Sequence, residues 1–538
     1  MEHSKNTVAE LIIQQLQLMN VKRIYGVVGD TIIGLIDALA NQENIKFIAV
    51  KHESVAALMA SAEAKLTGGL GVCTATMGPG VTNLLNGLGD AYSDKAPVLA
   101  ITGQAPSDKI GTDFQQYVNQ QELVKPFASY SVNLTSPDAI IEVMHKAAQK
   151  SLGQRGVTHL SIPKDFFDKK TEVRPRRLPL LVKSTSSLEE ESKNRILEVM
   201  KTARQPMILA GAGARGASEA IEMLADTWGA AILTSLGGKG AFEANSPNLL
   251  QGIGEGGNPY AKSAFLEADV VLLAGVTWWP EGYVPTDAKI IQIDSNFDKI
   301  EKSIPVEIGI KGNTEEVIPQ LNLGLKGHNK NDEWVGRCRE VKELWSAQLE
   351  QEGNSEGSPI HPARIIRAIE RTIDPDAILA IDTGDVTVWT NRILRQQNQR
   401  VLFSGYWRTM GFGLPAAMAA KLAEPEKQVV AVVGDGGLQM TLADLLTAKR
   451  YGIKITIIVL NNESLQMERD KIKAEGGDEV GVGLTNPDFV KVAEACGWKG
   501  VHVEEDNSLE ASITEALQSE LPALVDIRTA QIFFPETE

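Results

Sequence analysis

Cysteine is scarce: Cys73, Cys338 and Cys496 are the only three in 538 residues, far apart and odd in number. That excludes a disulfide framework and a thiolate metal site, and a reducing cytoplasm is the expected setting. Positive charge is in the minority, with a net charge of −16. No basic stripe is interleaved with aromatic residues, which argues against a nucleic-acid partner. No uncharged apolar run reaches the roughly 20 residues that span a bilayer, so no stable membrane insertion is expected. The amino terminus MEHSKNTVAE has none of the ordered regions of a secretion signal, so no export is expected. Low-complexity blocks are missing too, which excludes a largely disordered chain. Apolar residues at 43% leave enough material for several cores, and the length suits three or four domains.

Three series of short β-rich runs separated by helix-length stretches follow one another. The first contains KRIYGVVGD, KFIAV, GVCTATMGPG, PVLAITGQ and HLSIPKD; the second PMILAGAGARG, AAILTSL, ADVVLLAGV and AKIIQID; the third AILAIDTGD, QVVAVVGDGG, KITIIVLNN and ALVDIRT. Strands so spaced imply parallel sheets covered by helices on both faces. The expected architecture is α/β, with domains over 1–168, 190–326 and 358–538. The stretch 169–192, rich in proline, charge and serine, reads as a linker.

The third series carries the most specific chemistry. QVVAVVGDGG reads as a buried strand, LQMTLADLLTAKRYG as a helix with Leu438, Leu442, Leu445 and Leu446 on one face, and KITIIVLNN as the next strand. A right-handed crossover sets two such strands parallel and close, which brings Asp435 and Asn462 together at the carboxyl end of the sheet, where open α/β folds bind ligands. A carboxylate, an amide oxygen and a turn carbonyl are hard ligands for Mg²⁺ with coordination left over for phosphate oxygens. Gly434, Gly436 and Gly437 let backbone approach a phosphate at a helix amino terminus. From spacing alone, a capping aspartate followed by a polar turn explains the pair as well.

Gly-Asp-Gly, followed 27 residues after the aspartate by the second asparagine of an Asn-Asn pair, resembles the cofactor motif of thiamin-diphosphate-dependent 2-oxoacid enzymes. The resemblance extends over nearly the whole chain. KHESVAALMASAEAKLTG, MGPGVTNLLNGLGDAYSDKAPVLAITGQ, DFQQ, PTDAKIIQIDSN and RTMGFGLPAAMAAKLAEPEKQVVAVVGDGG are similar to the pyruvate oxidase branch, with acetolactate synthases as near relatives. It implies a first domain for the aminopyrimidine, a Rossmann-like middle domain, a third domain for the diphosphate, and an active site between two chains of a homodimer or homotetramer.

The resemblance also assigns residues. Asp435, Asn462 and Ser464 would hold Mg²⁺; Gly384, Asp385, Gly436 and Gly437 would line the diphosphate; Gly29 and Gly78 would face the cofactor from the first domain. Met410 in RTMGFG would support the folded cofactor, although a core methionine filling a gap is the plain alternative. Glu53 would be the activating glutamate, a buried carboxyl bonded to the pyrimidine ring nitrogen so that the cofactor's own amino group acts as base. Without the other motifs it reads as a helix-terminal acid favoured by the dipole. Phe114 and Gln115 would line the 2-oxoacid pocket. His52, a single histidine beside a motif, is left outside the catalytic set.

After decarboxylation the product is released as an aldehyde, joined to a second oxoacid, or oxidised; only oxidation needs a redox partner. GAGARG after PMILA is placed as a dinucleotide loop, with Gly213 inside it, and Asp294 in QIDSN matches a flavin-contacting acid. FAD is therefore expected beside thiamin diphosphate and Mg²⁺. Two departures bear on the substrate and acceptor. GEGGNPYAKSAF has no arginine where some oxidases carry one, and NNESLQMERDK has Gln466 and Met467 where relatives show a glycine and then an apolar or aromatic residue. Nothing after ALVDIRTAQIFFPETE has the length of an amphipathic membrane-docking segment, so a soluble acceptor, oxygen or another docking surface is expected. The expected function is oxidative decarboxylation of pyruvate or a close 2-oxoacid through FAD to a quinone or oxygen. The alternatives are an acetolactate synthase-like carboligase, a non-oxidative decarboxylase, and a thiamin-diphosphate-binding regulator without turnover.

Overall fold

Central strands made almost wholly of Val, Ile, Leu and Ala can exist only with both faces covered, and the chain builds three sheets around such strands. The computed structural model describes residues 5–179, 187–277, 279–280, 282–302, 304–395 and 398–533. The first sheet runs, edge to edge, Lys46–Ala49, Arg23–Gly26, Gly71–Ala75, Val98–Gln104, Val157–Pro163 and Ala128–Asn133. The third runs Arg400–Leu402, Ile378–Ile381, Val429–Gly434, Thr456–Asn461, Ala523–Arg528 and Lys499–Val503. Numbered by chain order within each sheet, both read 2-1-3-4-6-5, and every pairing is parallel. The middle sheet is Leu249–Gly252, Ala231–Thr234, Pro206–Ala210, Val270–Ala274, Lys289–Asp294 and Ile308–Lys311. Its order, 3-2-1-4-5-6, is that of doubly wound dinucleotide folds.

The first and third sheets share a core. Helix Glu53–Thr67 packs on helix Gly413–Ala423 through small side chains, including Ala56, Ala57, Ala60 and Ala64 on one and Ala416, Ala417 and Ala420 on the other, all in one buried cluster. Alanine gives good helix propensity with little bulk, so the two helices approach closely. Arg23 reinforces the seam: its Nη1 donates to the Leu422 carbonyl at 2.9 Å while Glu63 accepts from its Nε at 3.1 Å and its Nη2 at 2.5 Å.

Two local expectations are corrected. The segment after Val429–Gly434 is two helices, Asp435–Thr441 and Leu445–Tyr451, joined by a 3₁₀ turn over Leu442–Asp444. That turn breaks the register, so Leu438 and Leu445 are buried, Leu442 is partly so, and Leu446 turns outward with 46% exposure. The first half of the expected linker is also structured. Lys170–Thr171 pairs antiparallel with Asn6–Thr7, and the Arg176 carbonyl accepts from Gln15 Nε2 at 2.8 Å. Residues 180–186 lie outside the described residues. No described helix is long and apolar enough to cross a membrane.

Candidate active site

The carboxyl ends of the third sheet bring the candidate metal residues together. Gly434 lies opposite Leu460 in the parallel register, so the turns beginning at Asp435 and Asn462 adjoin. Asp435 is 2% exposed; its Oδ1 accepts from Gly436 N at 2.9 Å and its Oδ2 from Glu463 N at 2.8 Å. Asn462 Oδ1 accepts from Ser464 N at 3.1 Å, and the buried Ser464 Oγ has no protein partner. Burial raises the Asp435 carboxyl, against the pull of its hydrogen bonds from Asn486, Gly436 and Glu463. A divalent cation would reverse that direction, because its charge favours the carboxylate. Glu463, which joins the pair, sits at φ 55°, a left-handed conformation rarely adopted by a residue with a β-carbon.

Helix Asp385–Ile393 points its amino-terminal end into the same region, entered through Gly384 at φ 130°. Burial first, then the charges of Asp470 and Asp435, push the Asp385 carboxyl up to about 8, and its Oδ1 has no hydrogen-bond partner. A β-carbon at Gly437 would fall 2.6 Å from Asp382 Oδ2, and one at Gly436 would fall 3.3 Å from Met410 Cε. Met410 therefore meets the Gly-Asp-Gly-Gly turn. Among the described residues no three His, Cys, Asp or Glu side chains converge as a metal cluster. A cation here would draw on one carboxylate, amide and carbonyl oxygens and the phosphates themselves, the ligand set of Mg²⁺. The orphaned Ser464 Oγ and Asp385 Oδ1 fit a polar ligand at this end of the sheet.

In the first domain Glu53 is the first residue of helix Glu53–Thr67, and His52 is the helix cap, its ring accepting from Ser54 N. Glu53 Oε2 accepts from Asn83 Nδ2 at 2.9 Å. The carboxyl was expected to be buried; in the single chain it is half-buried, and among the described residues no hydrogen bond or ion pair joins it to the third domain. Gly78 has φ +63°, and a β-carbon there would lie 2.5 Å from the Gln116 carbonyl oxygen. Only glycine allows that approach, which brings the DFQQ loop over the Met77–Gly80 turn. Phe114 is half-buried and Gln115 exposed in that loop. Gly29 packs against Thr76, where a β-carbon would meet Cβ at 2.5 Å.

A buried ionic knot ties the Met410 loop to the first domain. Lys65 Nζ donates to Asp90 at 2.8 Å, Asp94 at 2.7 Å and the Phe403 carbonyl at 2.8 Å, and it lies 4.6 Å from the centre of the Phe412 ring. Asp94 accepts from Gly405 N and Tyr406 N at 2.7 and 2.8 Å. Asn86 closes the contact, donating to Thr409 Oγ1 at 2.9 Å.

The middle domain places Gly213 in a 3₁₀ turn over Ala212–Ala217, packed so tightly on Gly275 that a β-carbon would lie 2.9 Å from its Cα. Asp294 ends strand Lys289–Asp294, 9% exposed; burial raises its carboxyl, and Oδ1 accepts one backbone N–H from Asn296 at 2.8 Å, leaving acceptor capacity for a hydroxyl. The segment 254–265, a turn leading into helix Pro259–Leu266 with no arginine of its own, is met by two from the third domain. Arg408 pairs with Glu255 at 3.3 Å and Arg392 donates to the Gly257 carbonyl at 3.4 Å. Gln466 turns inward, 4% exposed, with Nε2 donating to Asp470 Oδ1 at 2.6 Å. Trp278, in the loop GVTWW, lies outside the described residues.

Three neighbours of the site were missed from the sequence, two of them with no local signal. Asn486 donates to Asp435 Oδ2 and to Asn461 Oδ1, both at 2.7 Å, across 51 and 25 residues of chain. Asn83 belongs to the helix after Gly78, and only its contact with Glu53 marks it. Asp382, 1% exposed, accepts from Thr383 N at 2.7 Å and Phe412 N at 3.2 Å, and burial pushes its carboxyl up to about 6. Its position at the end of a buried apolar strand was the one available hint.

Known protein families match all three domains. The family described as thiamine pyrophosphate enzyme, N-terminal TPP binding domain, matches residues 6–123; its central domain matches 194–321; and its C-terminal TPP binding domain matches 382–527. The putative thiamine pyrophosphate-containing protein YdaP of Bacillus subtilis is 34% identical over 97% of this chain and 91% of its own. A probable acetolactate synthase large subunit of Methanocaldococcus jannaschii is 31% identical over 96% of this chain and 91% of its own. The pyruvate oxidase of Lactiplantibacillus plantarum is 30% identical over 96% and 87%.

Proposed function

The chain belongs to the thiamine pyrophosphate enzyme family, and from that premise we propose an oxidative decarboxylase of pyruvate or a close 2-oxoacid, dependent on thiamin diphosphate and Mg²⁺ and passing electrons through FAD to a quinone or oxygen. With pyruvate, the substrate and water become acetate and carbon dioxide, and two electrons and two protons leave with the acceptor. The observation that carries the cofactor reading is the Asp435–Glu463 contact at 2.8 Å, which sets the aspartate and asparagine turns side by side.

In this reading Asp435, Asn462 and Ser464 would hold the cation, Gly384, Asp385, Gly436 and Gly437 would face the diphosphate, and Met410, which meets the Gly436 turn, would support the cofactor. Bound thiamin diphosphate supplies the carbon nucleophile and the electron sink. Glu53 shares a proton with the pyrimidine ring nitrogen, Gly29 and Gly78 shape the first-domain wall, and Phe114 and Gln115 orient the oxoacid. Gly213 and Asp294 hold FAD in the middle domain, whose strand order supports a dinucleotide there.

Two chains complete the site in this proposal, as a homodimer or homotetramer. Among the described residues Glu53 makes no hydrogen bond or ion pair to the third domain, and Tyr92, Trp407, Met440 and Leu446 leave apolar surface exposed. Three free cysteines suit a cytoplasmic location.

A second reading, an acetolactate-forming carboligase, is favoured by the segment 254–265, which has no arginine of its own. Purified protein with thiamin diphosphate, Mg²⁺ and pyruvate separates them. A flavin band that bleaches while acetate forms is the oxidase outcome; acetolactate with an unbleached or absent flavin is the carboligase outcome. Uptake of thiamin diphosphate without any product would mark a regulatory binder.

A further inference from the structure

Lys239 in the middle-domain turn TSLGGKG is 7% exposed. Among the described residues no carboxylate pairs with it. An unpaired ammonium at that depth is costly unless other groups replace its water. Here Nζ donates to the carbonyl oxygens of Asn391 at 2.9 Å and Leu394 at 3.1 Å. These carbonyls are at the carboxyl end of helix Asp385–Ile393, where the helix dipole favours a cation and backbone acceptors lack partners. The lysine of one domain thus caps a helix of another.

The turn that carries Lys239 is itself fixed. Arg215, in the 3₁₀ turn Ala212–Ala217, donates from Nη2 to the carbonyls of Gly237 at 3.1 Å and Lys239 at 3.0 Å. A continuous set of bonds therefore runs from the candidate dinucleotide turn, through the 236–240 turn, to the far end of a helix whose first residue is Asp385. Nine residues make a rod of about 13 Å, and such a rod moves as one body. Displacement at its capped end is felt at its open end beside Asp435.

We propose that Lys239 is a positioning residue for the diphosphate site: from the middle domain it fixes the helix Asp385–Ile393, so that binding at the amino-terminal end of that helix and order in the 236–240 turn are coupled. This rests on the reading of Asp435 and Asn462 as the metal–diphosphate pair.

Amide hydrogen exchange of the full-length wild-type protein, with and without thiamin diphosphate and Mg²⁺, tests it directly. The expected result is slower exchange both in 385–394 and in 236–240. Protection that stops at the helix overturns the proposal while leaving the cofactor reading intact; no uptake at all overturns both. Calorimetry on Lys239→Met should show affinity for thiamin diphosphate and Mg²⁺ reduced about tenfold, the scale of one lost charge-assisted hydrogen bond. Lys239→Arg should recover most of it. Unchanged affinity in a folded Lys239→Met protein, even with a lower melting temperature, would reduce the residue to a structural role. Should that variant not fold, the wild-type exchange pattern alone decides.

Discussion

The first and third sheets follow one strand order, and helix Glu53–Thr67 and helix Gly413–Ala423 hold the same place after the second strand of each. The chemistry at their carboxyl ends differs residue by residue. The first strand of one sheet is followed by Val27 and that of the other by Asp382. The third strand leads into Met77–Gly80 and a helix opening on Pro79 in one, and into Asp435 in the other. Asp30, the acid that follows the first strand of the first sheet, is exposed and paired with Lys164 at 2.6 Å. One topology thus carries mainly glycine, proline and hydroxyl groups, with the half-buried Glu53, at the carboxyl end of one sheet and buried carboxylates at that of the other. The shared strand order puts both sets of turns at the carboxyl ends of their sheets, and the residues after each strand set the polarity found there.

Substitutions break or sharpen that contrast. The largest effect is expected at the acid that the first domain does contribute: Glu53→Gln should lower turnover by about 10²–10⁴, while calorimetry finds thiamin diphosphate affinity nearly unchanged. Equal turnover would remove Glu53 from the chemistry. Asp435→Ala should act oppositely, weakening Mg²⁺-dependent cofactor uptake by more than the roughly hundredfold that loss of a ligand's supporting hydrogen bond brings.

Asp382 sharpens the comparison through pH. Its folded carboxyl titrates at about 6, above an unfolded value of roughly 3.9. Between these values the folded chain binds more protons than the unfolded one, so stability should fall as pH rises from about 4 to about 6, by about 2–3 kcal/mol. Below that window the contribution is fully present. Urea midpoints of wild type and Asp382→Asn across it should converge as pH is lowered relative to their separation at neutrality, and parallel curves would contradict the assignment.

Asn486→Ala, which removes the donor to Asp435 Oδ2, should weaken cofactor uptake by about 10–100-fold. Asp30→Ala should change stability by no more than about 1 kcal/mol, because its ion pair is exposed. A large loss of cofactor affinity there would erase the distinction between the two sheet ends.

The strands read from the sequence are the interior ones. Pro206–Ala210, Val270–Ala274 and Val429–Gly434 are continuous apolar runs because both faces are covered. The five sheet strands not read, Ala128–Asn133, Leu249–Gly252, Ile308–Lys311, Arg400–Leu402 and Lys499–Val503, all lie at sheet edges. There, one side has no neighbouring strand and burial is mostly partial, so residues such as those of ASYSVN carry no hydrophobic signature. Lys46–Ala49 is the one edge strand that was legible. Leu446 was misplaced for a related reason: a 3.6-residue period was extended through a turn that the sequence does not announce.

Alone, the sequence determined the series of alternating strands and helices, the turns at Asp435 and Asn462, and the resemblance that gives those turns a chemical meaning, because all of these are local in the chain. The approach of Asn486 to Asp435, of Asn83 to Glu53, and of Lys239 to the end of the Asp385 helix was decided only by tertiary packing. Each joins residues 30 or more positions apart. Such contacts form when sheets and domains close on one another, and neither composition nor periodicity records which distant polar groups that closure will bring within reach of a hydrogen bond.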